Sequence, residues 1–366
     1  MKIAFVGDIA LIGKYDITKN PNAKIRLNNL SKKLKEYDYV VGNLESPLTN
    51  RDHTLICKSM HLRSAPKNVE LLKDLNINAV SLANNHIFDF GKKGMNETIK
   101  ILEDNGIEWF GVDKKYLSKE IKDEKVSFSG FCCYSTNGAG YRKKKGIRGV
   151  NPLTSESIIE QIHCDEKNNA YSIFSFHWGD EHTTFPNPEH VSLVNKLTLI
   201  KDMLVVGHHP HVIQGIQKIN KSFVAYSLGN CLFDNAVSIT GKWMVKQIPE
   251  NKKSFILEVE IIDGALTNVG YVGFIDDDIE GLKFYDIKDE IKLISEPLEK
   301  DLLGKEYEKM RNNQISKSLE SKFGKRDWKW LISRMNYYSI CARIKGRFMK
   351  KKYLKEVKKF LEELGR

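Results

Sequence analysis

The stretch VVGHHPHVIQ, residues 205–214, sets three histidines within four residues around a proline, where a β-branched apolar run stops. Such a run reads as a buried strand, and the C-terminal ends of strands in an open α/β sheet are where polar loops gather. Imidazole is the commonest protein metal ligand. Period-two alternation would turn His209 and His211 to one side of the strand, with Pro210 between them, and send His208 to the other. His209 and His211 are therefore expected to hold one ion, and His208 to support them.

The same pattern recurs along the first 230 residues. Short apolar runs at 2–8, 39–45, 78–83, 107–112, 126–134, 171–178, 203–209 and 223–230 alternate with helical patterns at 23–36, 66–75, 95–105, 155–164 and 188–201. This alternation predicts an α/β sandwich. Residues 253–262 and 266–275 read as two further strands, and from 282 onward the pattern turns helical and basic. The expected organisation is one domain over 1–281 and a mainly helical extension over 282–366.

Polar clusters close several of the predicted strands: Asp8; Asn43 and Glu45; Asn84, Asn85 and His86 with Asp89; His177, Trp178 and Glu181; and the histidines of 208–211. Carboxylates, an amide and imidazoles at one rim form a mixed nitrogen and oxygen set that suits zinc, manganese or iron. Asp89, three residues after His86, can orient that ring as a general acid. Asn43 and Asn84 read as structural, because asparagine readily bonds nearby backbone.

Charge separates body from tail. Residues 301–366 hold 19 Lys+Arg and 8 Asp+Glu, a balance of +11; the remaining 39 of each sign (58 − 19 and 47 − 8) leave the body neutral. In the tail, Ile340, Ile344 and Phe348 form one apolar stripe, and Tyr353, Leu354, Val357, Phe360, Leu361 and Leu364 a second, opposite lysines and arginines. Packing on the body and lying on an anionic membrane are the two readings of such a helix. Nucleic acid is disfavoured: there is no helix-turn-helix signal and no basic sheet interleaved with aromatics. The basic loop 137–146 reads as a solvated turn, with a clamp for an anionic substrate as its functional alternative.

Cys57, Cys132, Cys133, Cys164, Cys231 and Cys341 show no paired CxxC spacing, so no disulfide framework is expected. Asp8 interrupts the N-terminal apolar run too early for a signal peptide. The expectation is a reduced, cytoplasmic protein whose tail can touch the inner face of the membrane.

The ordered motifs GDIAL, NLESPLT, LANNHIFDFG, HWGDE, GHHPHVIQG and YSLGNCLFD, over residues 1–234, together resemble the CapA or poly-gamma-glutamate capsule biosynthesis family, related to calcineurin-like metallophosphoesterases. The resemblance implies a four-layer α/β/β/α sandwich of metallophosphoesterase type. It implies Asp8, Glu45, Asn85, His177, His209 and His211 as ligands of one or two divalent transition-metal ions, manganese, zinc or iron. His86 would be the general acid, and Trp178, Glu181 and Gln214 would line the pocket. Dinuclear phosphoesterases carry a histidine two residues after the first aspartate, where this chain has Ala10, so one ligand for a second ion is missing. The implied function is a metal-dependent hydrolase acting on an anionic polymer or phosphoester in capsule or surface-polymer synthesis. The alternative is a non-catalytic assembly component whose tail recruits a synthase at the membrane.

Overall fold

The computed structural model describes residues 1–141, 149–241, 244–300, 303–324 and 327–363. Its strands in chain order are β1 (Lys2–Ile9), β2 (Tyr39–Leu44), β3 (Ala79–Ser81), β4 (Glu108–Phe110), β5 (Leu117–Ile121), β6 (Glu124–Cys132), β7 (Tyr171–His177), β8 (Met203–His208), β9 (Ile216–Ile219), β10 (Ser222–Ala225), β11 (Asn230–Leu232), β12 (Ala236–Val237), β13 (Met244–Val245), β14 (Lys253–Ile262), β15 (Ala265–Asp277) and β16 (Gly281–Tyr285). The helices are α1 (Ala23–Arg26), α2 (Asn28–Leu34), α3 (Val69–Asp74), α4 (Gly91–Asp104), α5 (Ser155–Lys167), α6 (Pro188–Leu197), α7 (Lys288–Glu299), α8 (Lys305–Phe323), α9 (Trp328–Ser333) and α10 (Tyr337–Glu363).

One sheet runs in the order β16-β15-β14-β1-β2-β3-β4, with β11 also on β1; the other runs β5-β6-β7-β8-β10-β9. Period two explains the layering. In β1, Ile3 and Phe5 join the cluster between the sheets with Phe128, Ile173, Leu204 and Phe255, whereas Ala4 and Val6 face the opposite way, toward Leu30, Leu72 and Leu102 of α2, α3 and α4. In β7 and β8, Ile173 and Leu204 point to the inter-sheet core, while Phe174, Phe176 and Val205 meet Ile158, Val194 and Phe360 of α5, α6 and α10. Three apolar layers separate four structural ones, the α/β/β/α sandwich anticipated from the motifs.

Local chemistry sets the helix starts. Thr154 accepts from the backbone N–H of Ser157 at 3.2 Å and caps α5, and Pro188 opens α6. The helix expected over 23–36 is broken into α1 and α2, and the boundary expected at 281/282 falls inside β16, which pairs with β15. The helices of the extension therefore begin at Lys288.

The extension is bound to the body. Tyr353, Val357 and Phe360 of α10 are buried in the outer cluster, Tyr134 Oη donates to Glu356 at 2.6 Å, and the buried Arg311 bonds Asp180, Phe185 O and Asn187. Cys57 and Cys341 form a disulfide across 284 residues, which corrects the expectation of a reduced protein. No spacing rule could have found it, because the two cysteines meet only once α10 has docked. Among the described residues, no helix is long and apolar enough to cross a membrane.

Candidate metal centre

β1 runs parallel to β2, and β7 parallel to β6 and β8, so their C-terminal ends deliver Asp8, Glu45, His177 and His208 to one rim. The strand β8 ends at His208, and the chain then turns through positive φ at His209 (96°) and His211 (59°). Histidine adopts such φ at a cost, and strain of this kind concentrates at functional sites. His209 and His211 thus converge through a strained turn, and the alternation expected to align them does not extend so far. His208 is held beside Asp8, with Nδ1 3.3 Å from Oδ1, in keeping with a supporting place.

Glu45 sits at the centre. It is fully buried, and neither carboxylate oxygen has a hydrogen-bond partner. Its Oε1 lies 3.7 Å from His177 Nε2, 3.8 Å from His211 Nε2 and 3.9 Å from His86 Nε2. Glu45, His209 and His211 place ligand atoms within 4.8 Å of one another. Burial, and then the charge of Asp8, push the Glu45 carboxyl well above its ordinary value. Burial drives His209 down to about 4 and His177 well below its usual range, the neighbouring imidazoles adding to the effect. Imidazole nitrogens gathered around a buried carboxyl group that has no hydrogen-bond partner are the complement of a cation. His209 Nδ1 is likewise buried and unpartnered, so the donor set fits a transition-metal ion.

The surrounding residues orient this set. Asn43 Nδ2 donates to Asp8 Oδ1 at 2.8 Å, and the backbone N–H of His209 donates to Oδ2 at 3.1 Å. Burial raises the Asp8 carboxyl, but His208, His211 and Asn43 outweigh it and hold the group below its ordinary value. His211 Nδ1 pairs with Asn230 Oδ1 at 2.9 Å, which leaves Nε2 for an ion. Asn85 Oδ1 is 3.0 Å from His177 Nε2, so the two expected ligands face each other. Asn84 Oδ1 accepts from the N–H groups of His86 and Ile87, the structural part expected of it. Ala10 is buried among Leu62, Phe233 and Ala236 and offers no donor.

His86 Nδ1 lies 2.6 Å from Asp89 Oδ2, the orienting contact expected from the three-residue spacing. Asp89 also accepts from the Leu62 N–H and from Lys58 Nζ, which reaches Asn85 O at 2.6 Å and lies 2.9 Å from His86 Nδ1. Burial, then the Lys58 charge, lower His86 to about 4. Nδ1 is held between Asp89 and Lys58, so Nε2 is the ring nitrogen turned toward Glu45.

Of the expected pocket residues, Trp178 is corrected. It follows His177, so period two sends it into the outer core, where it stacks on His190 at 4.7 Å and donates to Tyr226 O. Gln214 is buried and donates to Thr183 O, pinning the loop after β7 without lining a cleft. Glu181 stands half-exposed at the rim, 3.2 Å from His182 Nε2. Sequence reasoning missed Lys58, Asn230 and a second buried cation, Lys322 of α8, whose Nζ is 3.2 Å from both nitrogens of His182. The one signal available was for Asn230, which closes the apolar run 223–230 and which β11 places opposite Asp8. Of the loop 137–146, residues 142–146 lie outside the described residues; Tyr141 donates to Cys133 O, so the described part is packed. A large cavity of about 1130 Å³ opens at the other end of the second sheet, beside Glu124, Tyr171 and Ser222 at the starts of β6, β7 and β10, and contains none of the imidazoles.

Residues 2–235 match the family described as "Bacterial capsule synthesis protein PGA_cap". The chain is 30% identical over 244 residues to the PGA biosynthesis protein CapA of Bacillus subtilis (strain 168), covering 64% of this chain and 63% of that protein. It is 28% identical over 247 residues to the capsule biosynthesis protein CapA of Bacillus anthracis, covering 64% and 60%. It thus spans less than two thirds of the length of these relatives. Among solved structures, the calcineurin-like phosphoesterase YfkN from Bacillus subtilis aligns with a TM-score of 0.41 at 15% identity, covering 87% of this chain and 98% of that one.

Proposed function

Since the chain belongs to the bacterial capsule synthesis family PGA_cap, we propose that it is a metal-dependent hydrolase acting on an anionic substrate in the making of a capsule or related surface polymer. The observation that carries this reading is Glu45, a buried carboxylate with no hydrogen-bond partner, ringed by imidazole nitrogens. Asp8, Glu45, Asn85, His177, His209 and His211 would hold the ion, manganese, zinc or iron. One ion is favoured over two, because Ala10 supplies no donor. When bound, such an ion lowers the pKa of a coordinated water from ~15.7 toward ~7 and polarises the bond to be cleaved.

The chain's own residues do the rest. Asp89 orients His86, whose Nε2, 3.9 Å from Glu45 Oε1, would be the proton-transfer atom. Lys58 and Lys322 are buried cations on two sides of the cluster, a setting that favours a phosphate or carboxylate group over a neutral one. The disulfide Cys57–Cys341 is of a kind that persists in oxidising compartments, which weighs against a cytoplasmic location.

One observation favours the second reading, a non-catalytic assembly component. Every imidazole of the cluster is buried, and α8 clasps the neighbouring loop through Gln314, Ser318 and Lys322. Manganese- or zinc-loaded protein should hydrolyse bis-p-nitrophenyl phosphate or poly-gamma-glutamate, and His86→Ala should lose that turnover while keeping its metal. Loaded wild type that cleaves neither would shift the reading to assembly.

A further inference from the structure

The tail does not bury all of its apolar surface. On α10 the positions of Tyr353, Val357 and Phe360 face the body, whereas Ile340, Ile344 and Phe348, four residues apart, lie on the opposite side of the same helix. Ile344 is 68% and Phe348 69% exposed. Around them Tyr337, Met335, Leu331 and Trp328 are exposed as well, and the side chains from Tyr337 to Phe348 line a shallow apolar groove of about 620 Å³. An apolar patch of this extent marks an interaction surface.

Its charge selects the occupant. Residues 328–355 contain nine lysines and arginines and no aspartate or glutamate. At 3.6 residues per turn, Arg347 and Lys352 flank the stripe of Ile344 on its two sides, and Lys351 and Lys355 continue it toward the C-terminus. A second copy seated on this face would bring cation against cation. An anionic lipid surface takes both components together, apolar side chains into the acyl boundary and basic ones among the headgroups. We propose that the α9–α10 face seats this protein on an anionic lipid surface. The proposal is independent of any metal chemistry.

The face is presented rigidly. Tyr338 Oη donates to Thr54 O at 2.9 Å, Cys341 is bonded to Cys57, and Lys345 Nζ donates to Gly138 O at 2.6 Å. The first two of these contacts are to the segment that carries Lys58, so a seated molecule holds the loops around His86 close to the headgroup layer.

The test is sedimentation of the full chain with vesicles of phosphatidylcholine alone or mixed with phosphatidylglycerol, beside the double variant Ile344→Glu, Phe348→Glu. Both side chains are exposed, so the variant should keep the wild-type melting temperature and disulfide. Wild type should bind the mixed vesicles at low salt, be released by high salt, and bind phosphatidylcholine more than about tenfold more weakly; the variant should lose at least about tenfold on the mixed vesicles. Equal binding by wild type and variant, or no binding to mixed vesicles, would overturn the proposal. So would a concentration-dependent dimer, seen by light scattering, that the double variant dissociates, since the face would then belong to a second copy.

Discussion

Replacing Glu45 by glutamine should stabilise the metal-free protein and abolish the response to metal. The Glu45 carboxyl is raised above its ordinary value in the folded chain, so its ionisation opposes folding. That cost is absent below the unfolded value, about pH 4.3, and grows as pH rises toward the raised folded value, so it is felt at neutral pH. A buried group left without partners costs about 1–3 kcal/mol. Glutamine is nearly isosteric and carries no charge at any pH, which removes the ionisation part of this cost. With a melting entropy of about 2.1 cal/mol/K per residue over 366 residues, the gain is about 1–4 °C in Tm. Saturating metal works the other way: at 100-fold above Kd it adds about 2.7 kcal/mol, or about 3–4 °C, to wild type and nothing to the variant. Scanning calorimetry in chelator and in excess manganese or zinc measures both. A Glu45→Gln protein that melts below wild type in chelator and still responds to metal would refute the reasoning, because Glu45 would then be satisfied without an ion.

Other outcomes follow from the same structure. His86→Ala should retain metal and lose about 10²–10⁴-fold in turnover, checked by kinetics beside elemental analysis. His190, stacked on Trp178 with Nε2 unpartnered, is lowered by burial to about 4 from an ordinary 6.5. Its unfolded form therefore binds a proton first as pH falls, and stability should drop by up to about 3 kcal/mol between pH 6.5 and 4, a loss that His190→Phe should reduce in acid titrations. Reduction, or Cys341→Ser, should lower stability by about 5 kcal/mol, since the bridge closes a very long loop; melting with and without reductant reads this.

The sheets were legible because parallel strands buried on both faces are continuous apolar runs, and their C-terminal ends announced Asp8, Glu45, His177, His209 and His211. The tail was legible as two stripes, and the structure divides them: Tyr353, Val357 and Phe360 pack inward while Ile340, Ile344 and Phe348 stay exposed. What escaped depends on contacts distant in sequence or on local backbone. Lys58 lies in a segment without regular structure, where no period marks which side chain turns inward. Lys322 reaches His182 only because α8 folds back over 140 residues. Trp178 was assigned to the pocket by the family resemblance, although strand alternation already pointed it away from the side of His177. β16 was missed because its pairing with β15 follows a short turn that reads, in a highly charged sequence, as the start of a helix.

The central claim is that the cluster around Glu45 is a metal centre. Metal per chain, measured by elemental analysis on protein purified without chelator and after reconstitution, tests it most directly when wild type is compared with His209→Ala. A transition metal at one equivalent per chain, or two if a further ion is held without a donor at Ala10, absent from His209→Ala, is the predicted result. No metal in wild type after reconstitution, or the same content in both proteins, would contradict it.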